Sequence, residues 1–308
     1  MTLHEAAQAS EPERELRTTV VPGGGRRNGE GGAEQAVAVR GELGASHQPV
    51  KSAARTLELV EYFARTGGMH SLRDLHEVFG HPKSSLHALL RTLADAGWVE
   101  VDRTGTLYGL GLRALLVGMS YIDGDDAVVG AAGTLNWLAA ESTETVHMAR
   151  LDGRDVVYLA TRDASHELRV ISRIGHRLPA HATGLGKALL AEHSDAELMD
   201  LLPERLEALT PSTITDRDAL LEDLAETRRR GYAVDRQENT IGLRCIGVAL
   251  HTTAGVPRDA VSLSVPIGRI EPGREQALTA LLLRAKESIE REGWRTGTAA
   301  RAAGEDGS

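Results

Sequence analysis

Between Ser71 and Leu110, two apolar runs of helical spacing stand on either side of Gly80-His81-Pro82, and a strand-like run follows them; few folds accommodate that order. Ser71 suits the N-cap of a short helix with Leu72, Leu75 and Val78 on its apolar side, and Gly80 ends it. Pro82 fits the first turn of a second helix, where its missing N–H costs nothing. Leu86, Leu89, Leu90 and Leu93 then recur until Gly97 stops the run. Two short helices around a tight Gly-containing turn are the helix-turn-helix signature. Trp98-Val99-Glu100-Val101 and Thr106-Leu107-Tyr108 flank Asp102-Arg103-Thr104-Gly105, a hairpin in the position of a wing.

The four leucines fix the buried side of the second helix, so Lys83, Ser84, Ser85, His87 and Arg91 point outward. Short polar residues near a helix N-terminus, with cations at the rim, are what a DNA major groove requires. Lys83 and Arg91 are expected to hold phosphates, and Ser84, Ser85 and His87 to touch bases. Arg103 and Tyr108 of the wing complete the expected DNA-contacting set. A small helical bundle with a solvated polar face fits the same residues one by one; the wing after the second helix favours the DNA reader.

A chain of 308 residues suits two domains, and 41% hydrophobic residues suffice for ordinary cores. No apolar run of about 18 residues and no basic-then-apolar leader is present, so a cytoplasmic protein without membrane contact is expected. The single cysteine, Cys245, excludes an internal disulfide framework and fits a reducing compartment. A net charge of −9 argues against coating nucleic acid by bulk electrostatics. DNA affinity must then come from a few placed contacts and from pairing subunits on one site.

Residues 1–49, rich in Gly, Ala, Glu and Arg, read as a disordered tail in which Arg26 and Arg27 are idle or brush a phosphate. From Val50 a helix presents Ala54, Leu57, Val60, Phe63 and Ala64 on one side and stops at Gly67-Gly68, which gives a DNA-binding domain over 50–110. Leu112, Leu115, Leu116 and Met119 form the apolar stripe of a linker helix within 111–126, and that stripe needs a partner such as the same helix of a second subunit.

The second domain spans 127–293, with a tail over 294–308. A helix carrying Leu135, Trp137 and Leu138 leads into a hairpin, Thr145–Ala149 and Val156–Leu159, around Asp152-Gly153. A strand is expected at Leu168–Ile171, helices at Gly184–Ala191, Asp195–Leu202 and Asp216–Arg230, and strands at Tyr232–Val234, Cys245–Leu250 and Ala260–Val265. A final helix runs from Glu275 to Glu292, with Trp294 onward frayed. Hairpin strands with segregated helices give an α+β domain with an antiparallel sheet.

Leu57 through Leu116, with Pro82-Lys83-Ser84-Ser85, Leu89-Leu90-Arg91-Thr92-Leu93 and Tyr108-Gly109-Leu110-Gly111, resembles the DNA-binding domain of IclR-family transcriptional regulators. Pro179–Ala191, Arg230–Asp235 and Cys245–Val248 resemble that family's effector-binding domain, a GAF-like fold. The resemblance covers about Val50 to Glu292. It implies a ligand-responsive regulator that binds a near-palindromic operator as a homodimer or homotetramer. It also implies that Thr183, Gly184, Leu185, Gly186, Asp235, Cys245, Ser262 and Ser264 line an effector site for a small organic acid. Independently, Thr183–Gly186 opens a helix whose unbonded N–H groups suit a carboxylate, and Ser262 and Ser264 share one strand face. Partners for those hydroxyls are a polar ligand or nearby backbone. Asp235 beside a carboxylate ligand requires its charge to be paired or turned away.

Two positions depart from the family pattern: Ala88 follows His87 where many members carry arginine, and Val248-Ala249-Leu250-His251 stands where a proline-containing stretch is common. The alternative is a small-molecule binding or hydrolytic protein whose helix-turn-helix contacts protein, with Cys245 as nucleophile and His181 or His251 as base. Gly184-Leu185-Gly186-Lys187 is not a phosphate loop, since His181 and Ala188 occupy its other required positions. His147, His166, His176, His181 and His251 lack metal-ligand spacing; neither metal nor cofactor is expected.

Overall fold

A computed structural model describes residues 50–164, 173–251 and 255–305, with side chains through 291. The expected tail over 1–49, with Arg26 and Arg27, the strand at Leu168–Ile171 and His166 lie outside these residues.

The N-terminal part opens with α1 (Lys51–Thr66), followed by β1 (His70–Ser71), α2 (Leu72–Phe79) and α3 (Lys83–Asp95). The Ser71 side chain accepts from the Asp74 amide while the Asp74 carboxylate accepts from the Ser71 amide, a capping box that fixes the start of α2. Leu59, Phe63, Leu75, Leu86, Leu90, Leu93, Val99 and Tyr108 close one small core. Each such leucine contributes about 1.5–3 kcal/mol by leaving water. Three sequence expectations shift here. Phe63 is buried and Val60 packs on the core as expected, but Leu57 and Ala64 are exposed and Leu59 is buried, so the inward face of α1 is rotated from the one its spacing implied. On α2, Val78 is exposed while Phe79 packs on the core, its ring 5.3 Å from that of Tyr62. The wing, β2 (Val99–Val101) and β3 (Leu107–Leu110), gains the unforeseen third strand β1 in the order β1-β3-β2.

From Gly111 the chain enters α4 (Leu112–Asp123), none of whose residues is buried. Asp125 caps α5 (Asp126–Ser142), accepting from the Ala127 and Val128 amides. A six-stranded antiparallel sheet follows, ordered β6-β5-β4-β9-β8-β7. Its strands are β4 (Thr145–Asp152), β5 (Asp155–Arg162), β6 (Arg177–Pro179), β7 (Ala233–Arg236), β8 (Leu243–Leu250) and β9 (Asp259–Pro266). Short helices α6 (Gly184–Leu190) and α7 (Asp195–Leu201) and the longer α8 (Arg217–Arg230) precede β7. The last helix, α9, spans Arg274–Glu305, so the helix continues through the stretch expected to fray after Trp294.

Each sheet face has its own helical cover. Leu135 and Leu138 of α5, with Leu278 and Leu282 of α9, pack on Met148, Ile246, Val248, Val261 and Leu263. On the other face, Leu185 and Leu189 of α6 and Leu220 and Leu224 of α8 meet a sheet reduced to Ala149, Val156, Ala249 and Ala260. Small strand residues let α6 lie close to the sheet, and this places its N-terminus beside the polar part of that face.

Candidate functional site

Two polar clusters stand out, one on α3 and one beneath the sheet. Pro82 occupies the N-cap of α3 and supplies no side-chain cap, so the first amides of α3 lack the acceptor that Ser71 gives α2. Lys83, Ser84, His87 and Arg91 are exposed around this end. Ser85 is only half-buried, and its hydroxyl accepts from Arg55 of α1 at 3.5 Å, which brings a cation absent from the sequence expectation to the same surface. Arg103 is exposed on the wing turn. That turn is held by Asp102, whose carboxylate accepts from the Thr104, Thr106 and Leu107 amides and the Thr104 hydroxyl, and these bonds hold its carboxyl well below the usual range. Tyr108 departs from expectation. It is 8% exposed and packs in the core between helices and wing, so its side chain does not face a DNA groove.

The second cluster follows from strand register. Asp235 pairs with Cys245, Cys245 with Ser264, Gly247 with Ser262, and Ser262 with His147. Antiparallel neighbours share a face, so these side chains line one stripe across four strands. As the alternation implied, Val261, Leu263 and Val265 lie in the core of the opposite face. Asp235, Ser262, Ser264 and His147 are all buried, and Cys245 is half-buried. The Cys245 Sγ lies 3.2 Å from the Ser264 Oγ, which lies 3.2 Å from the His147 Nδ1. The His147 ring is tilted against that of Tyr158, with centroids 4.8 Å apart. His147 and Tyr158 were not among the expected site residues, although each is a polar side chain inside an apolar strand run, Val146-His147-Met148 and Val157-Tyr158-Leu159.

The N-terminus of α6 abuts this stripe. A side chain at Gly247 would run into the Gly184 carbonyl, so the helix start can approach this strand only where a Cβ is lacking, and one at Gly186 would run into the Ala180 carbonyl of the preceding turn. Thr183 caps the helix through the Gly186 amide at 2.9 Å, so that amide is already taken. The Gly184 and Leu185 amides make no such bond among the described residues. The Leu185 side chain points away into the apolar core at 1% exposure, so this residue can serve the site only through its backbone.

Lys187 is the unforeseen charge. At 0% exposure its Nζ donates to both Glu238 oxygens, at 2.7 and 2.9 Å, and it forms an ion pair with Asp223 at 2.9 Å in which the oxygen is off the hydrogen-bonding axis. The Glu238 amide in turn donates to Asp235 at 2.7 Å, linking the ion pair to the stripe. Burial pushes the Asp235 carboxyl up to about 6 against the pull of that amide, and holds His147 down to about 4. Burial and the Asp235 charge raise the Cys245 thiol. Among the described residues no His, Cys, Asp and Glu cluster could hold a metal ion. A groove of about 450 Å³ between α5 and α9, with Trp137 and Arg284 in its walls, contains none of the expected site residues.

The comparisons with known proteins decide what this pairing of an exposed helix with a buried polar stripe belongs to. The model of the IclR helix-turn-helix domain matches residues 52–103, and that of the C-terminal domain of bacterial IclR transcriptional regulators matches 119–291. The chain belongs to the IclR family. The transcriptional repressor IclR of Escherichia coli (strain K12) is 35% identical over 244 residues, covering 78% of this chain and 89% of the relative. An IclR transcriptional regulator from Alicyclobacillus acidocaldarius has the same fold, with a TM-score of 0.71 at 22% identity over 80% of this chain and all of the other. So does an IclR homologue from Microbacterium hydrocarbonoxydans in complex with 4-hydroxybenzoate, with a TM-score of 0.68 at 23% identity over 80% of this chain and 99% of that one. As an IclR-family member, the chain is a ligand-responsive, DNA-binding transcriptional regulator.

Proposed function

We propose that this regulator acts as a cytoplasmic homo-oligomer on a near-palindromic operator and senses a small organic acid. The observation that carries the proposal is α4: Leu112, Leu115, Leu116, Val117 and Tyr121 are each at least 48% exposed, so among the described residues the apolar face of this helix is left uncovered. The same helix of a second copy would cover it and set two α3 helices on one DNA duplex. In this reading 50–110 binds DNA, 111–126 links and 127–293 holds the effector. Lys83, Ser84, Ser85, His87, Arg91 and Arg103 face the operator. The Thr183–Gly186 backbone, Asp235, Cys245, Ser262 and Ser264 face the ligand. The 4-hydroxybenzoate bound by the Microbacterium homologue supports the acid class.

The chain is not an enzyme in this reading. Its raised thiol keeps Cys245 protonated, His181 Nε2 bonds the Glu207 carbonyl, and His251 lies between Glu192 and Glu290. No helix among the described residues is long and apolar enough to cross a membrane. Genomic DNA selection by the purified chain, followed by light scattering of wild type and Leu116→Glu, tests the assembly. A selected inverted repeat, and loss of both oligomer and selection in the variant, is expected. An oligomer unchanged by Leu116→Glu would place the interface elsewhere.

A further inference from the structure

The surroundings of Asp235 bear on how an acid could enter this site, and the inference rests on the organic-acid reading above. Every element packed around the carboxylate presents a defined group. From β8 comes the Cys245 thiol, paired with Asp235 across the strands, and from the loop after β7 the Glu238 amide and carboxylate. From α6 comes Lys187, from β5 the Tyr158 phenol, and from β9 Ser264, which leads on to His147 of β4. Beyond Lys187, α8 contributes Asp223, which Arg236 approaches to 3.7 Å from a half-exposed position.

Lys187 is the buried cation of this set, and its ammonium is already engaged by Glu238 and Asp223. With Arg236 and Arg230 included, three cations face the three carboxylates of Asp223, Asp235 and Glu238, so the cluster holds no cation in excess. A ligand carboxylate against this stripe would add a further anion where water is excluded and charges interact strongly. The helix-end amides offer partial charge against this, not a counter-ion. We infer that an organic acid enters this site together with one proton from solvent, which the Asp235 carboxylate takes up. Protonated Asp235 keeps the Glu238 amide on one oxygen and gains an O–H donor for the ligand, as two close carboxylates share a proton elsewhere. Both Glu238 oxygens already accept from Lys187, and His147 is buried with its imidazole held neutral, so the imidazole does not compete for that proton. A carboxyl already pushed up to about 6 lies within reach of this step at neutral pH.

The test is calorimetric titration of the full chain with benzoate, 4-hydroxybenzoate and acetate from about pH 6 to about pH 8, a range in which simple carboxylates stay ionised. Buffers of different protonation heat report protons bound per ligand. The expected result is uptake approaching one proton and a Kd that weakens up to tenfold per pH unit. In Asp235→Asn the uptake disappears and the pH profile flattens, whereas His147→Gln keeps the uptake. An acid that binds wild type with no proton uptake overturns the inference and leaves the acid reading standing. If none of the three acids binds wild type at either end of the range, the acid reading falls and the inference with it. The wild-type titration decides even if a substitution prevents folding.

Discussion

Lys83, Ser84 and His87 on α3 are exposed and have no hydrogen-bond or ion-pair partner among the described residues, whereas Lys187, Ser264 and His147, the same three residue types, are at most 3% exposed and each has a named partner. The difference separates two ways of storing binding capacity. On α3 water satisfies each polar group, so a partner such as a phosphate need only displace water. Beneath the sheet the protein has already committed the groups to one another, because a buried polar atom left unpaired costs more than the bond returns. A ligand there must compete with internal partners. Under the proposed function, that dependence makes the buried cluster a sensor whose internal bonds change on binding, while α3 stays a fixed tool.

The two clusters differ most at Lys187. Lys187→Met leaves the Glu238 side chain, 4% exposed, without its cation and Asp223 with the half-exposed Arg236 at 3.7 Å. Breaking a buried pair of this kind costs about 3–5 kcal/mol. Chemical denaturation should register that loss in the transition of the effector domain. A variant as stable as wild type would show that these carboxylates relax into water and that the ion pair is not structural.

Why Lys187 escaped the sequence while α3 did not is itself physical. The face of α3 is set by leucines within one short run, and Leu86, Leu90 and Leu93 are buried as their spacing requires. The partner of Lys187, Glu238, lies 51 residues away and is brought in by the register of β7 and β8, which no local period encodes. Lys187 sits inside Gly184–Leu190, an otherwise apolar run that α6 buries entirely, and that was the available signal. The reverse error occurred at Tyr108. A tyrosine on a wing suits DNA, but the ring of Tyr108 packs into the core with Leu86, Leu90 and Val99. On α2, Val78 and Phe79 compete for one inward position, and the larger side chain takes it. Where spacing alone decides the face, as for Ser262 and Ser264, the sequence sufficed; where two candidates compete or the partner is remote, packing decided.

A second difference between the clusters is pH. Asp235 carries a carboxyl raised from 3.8 to about 6 in the folded chain, so the folded state holds its proton more tightly than the unfolded state does. The stabilisation is fully present below about pH 4, where both states are protonated, and is lost as pH rises through about 6. Two pKa units correspond to about 3 kcal/mol. In Asp235→Asn this contribution has no pH dependence. The stability of the variant relative to wild type should therefore rise by up to that amount between acid and neutral pH. A constant difference across the range would mean that Asp235 is solvated and that the stripe is more open than its 2% exposure indicates.

The smallest effect on folding, and the sharpest contrast, is expected on α3. Lys83 is exposed and takes part in no described hydrogen bond or ion pair, so Lys83→Ala should leave stability within about 0.5 kcal/mol. Its effect should appear in operator binding. If the ammonium neutralises one phosphate, its removal releases one counter-ion fewer, and the slope of log K against log salt becomes shallower by about one per subunit. The weakening should be similar on specific and unrelated DNA, because a phosphate carries no sequence. A unit change in slope with unchanged stability would confirm that α3 keeps its charges for an outside partner. An unchanged slope would remove Lys83 from the interface and shift the phosphate contacts toward Arg91 and Arg55, the latter held at the same surface through Ser85.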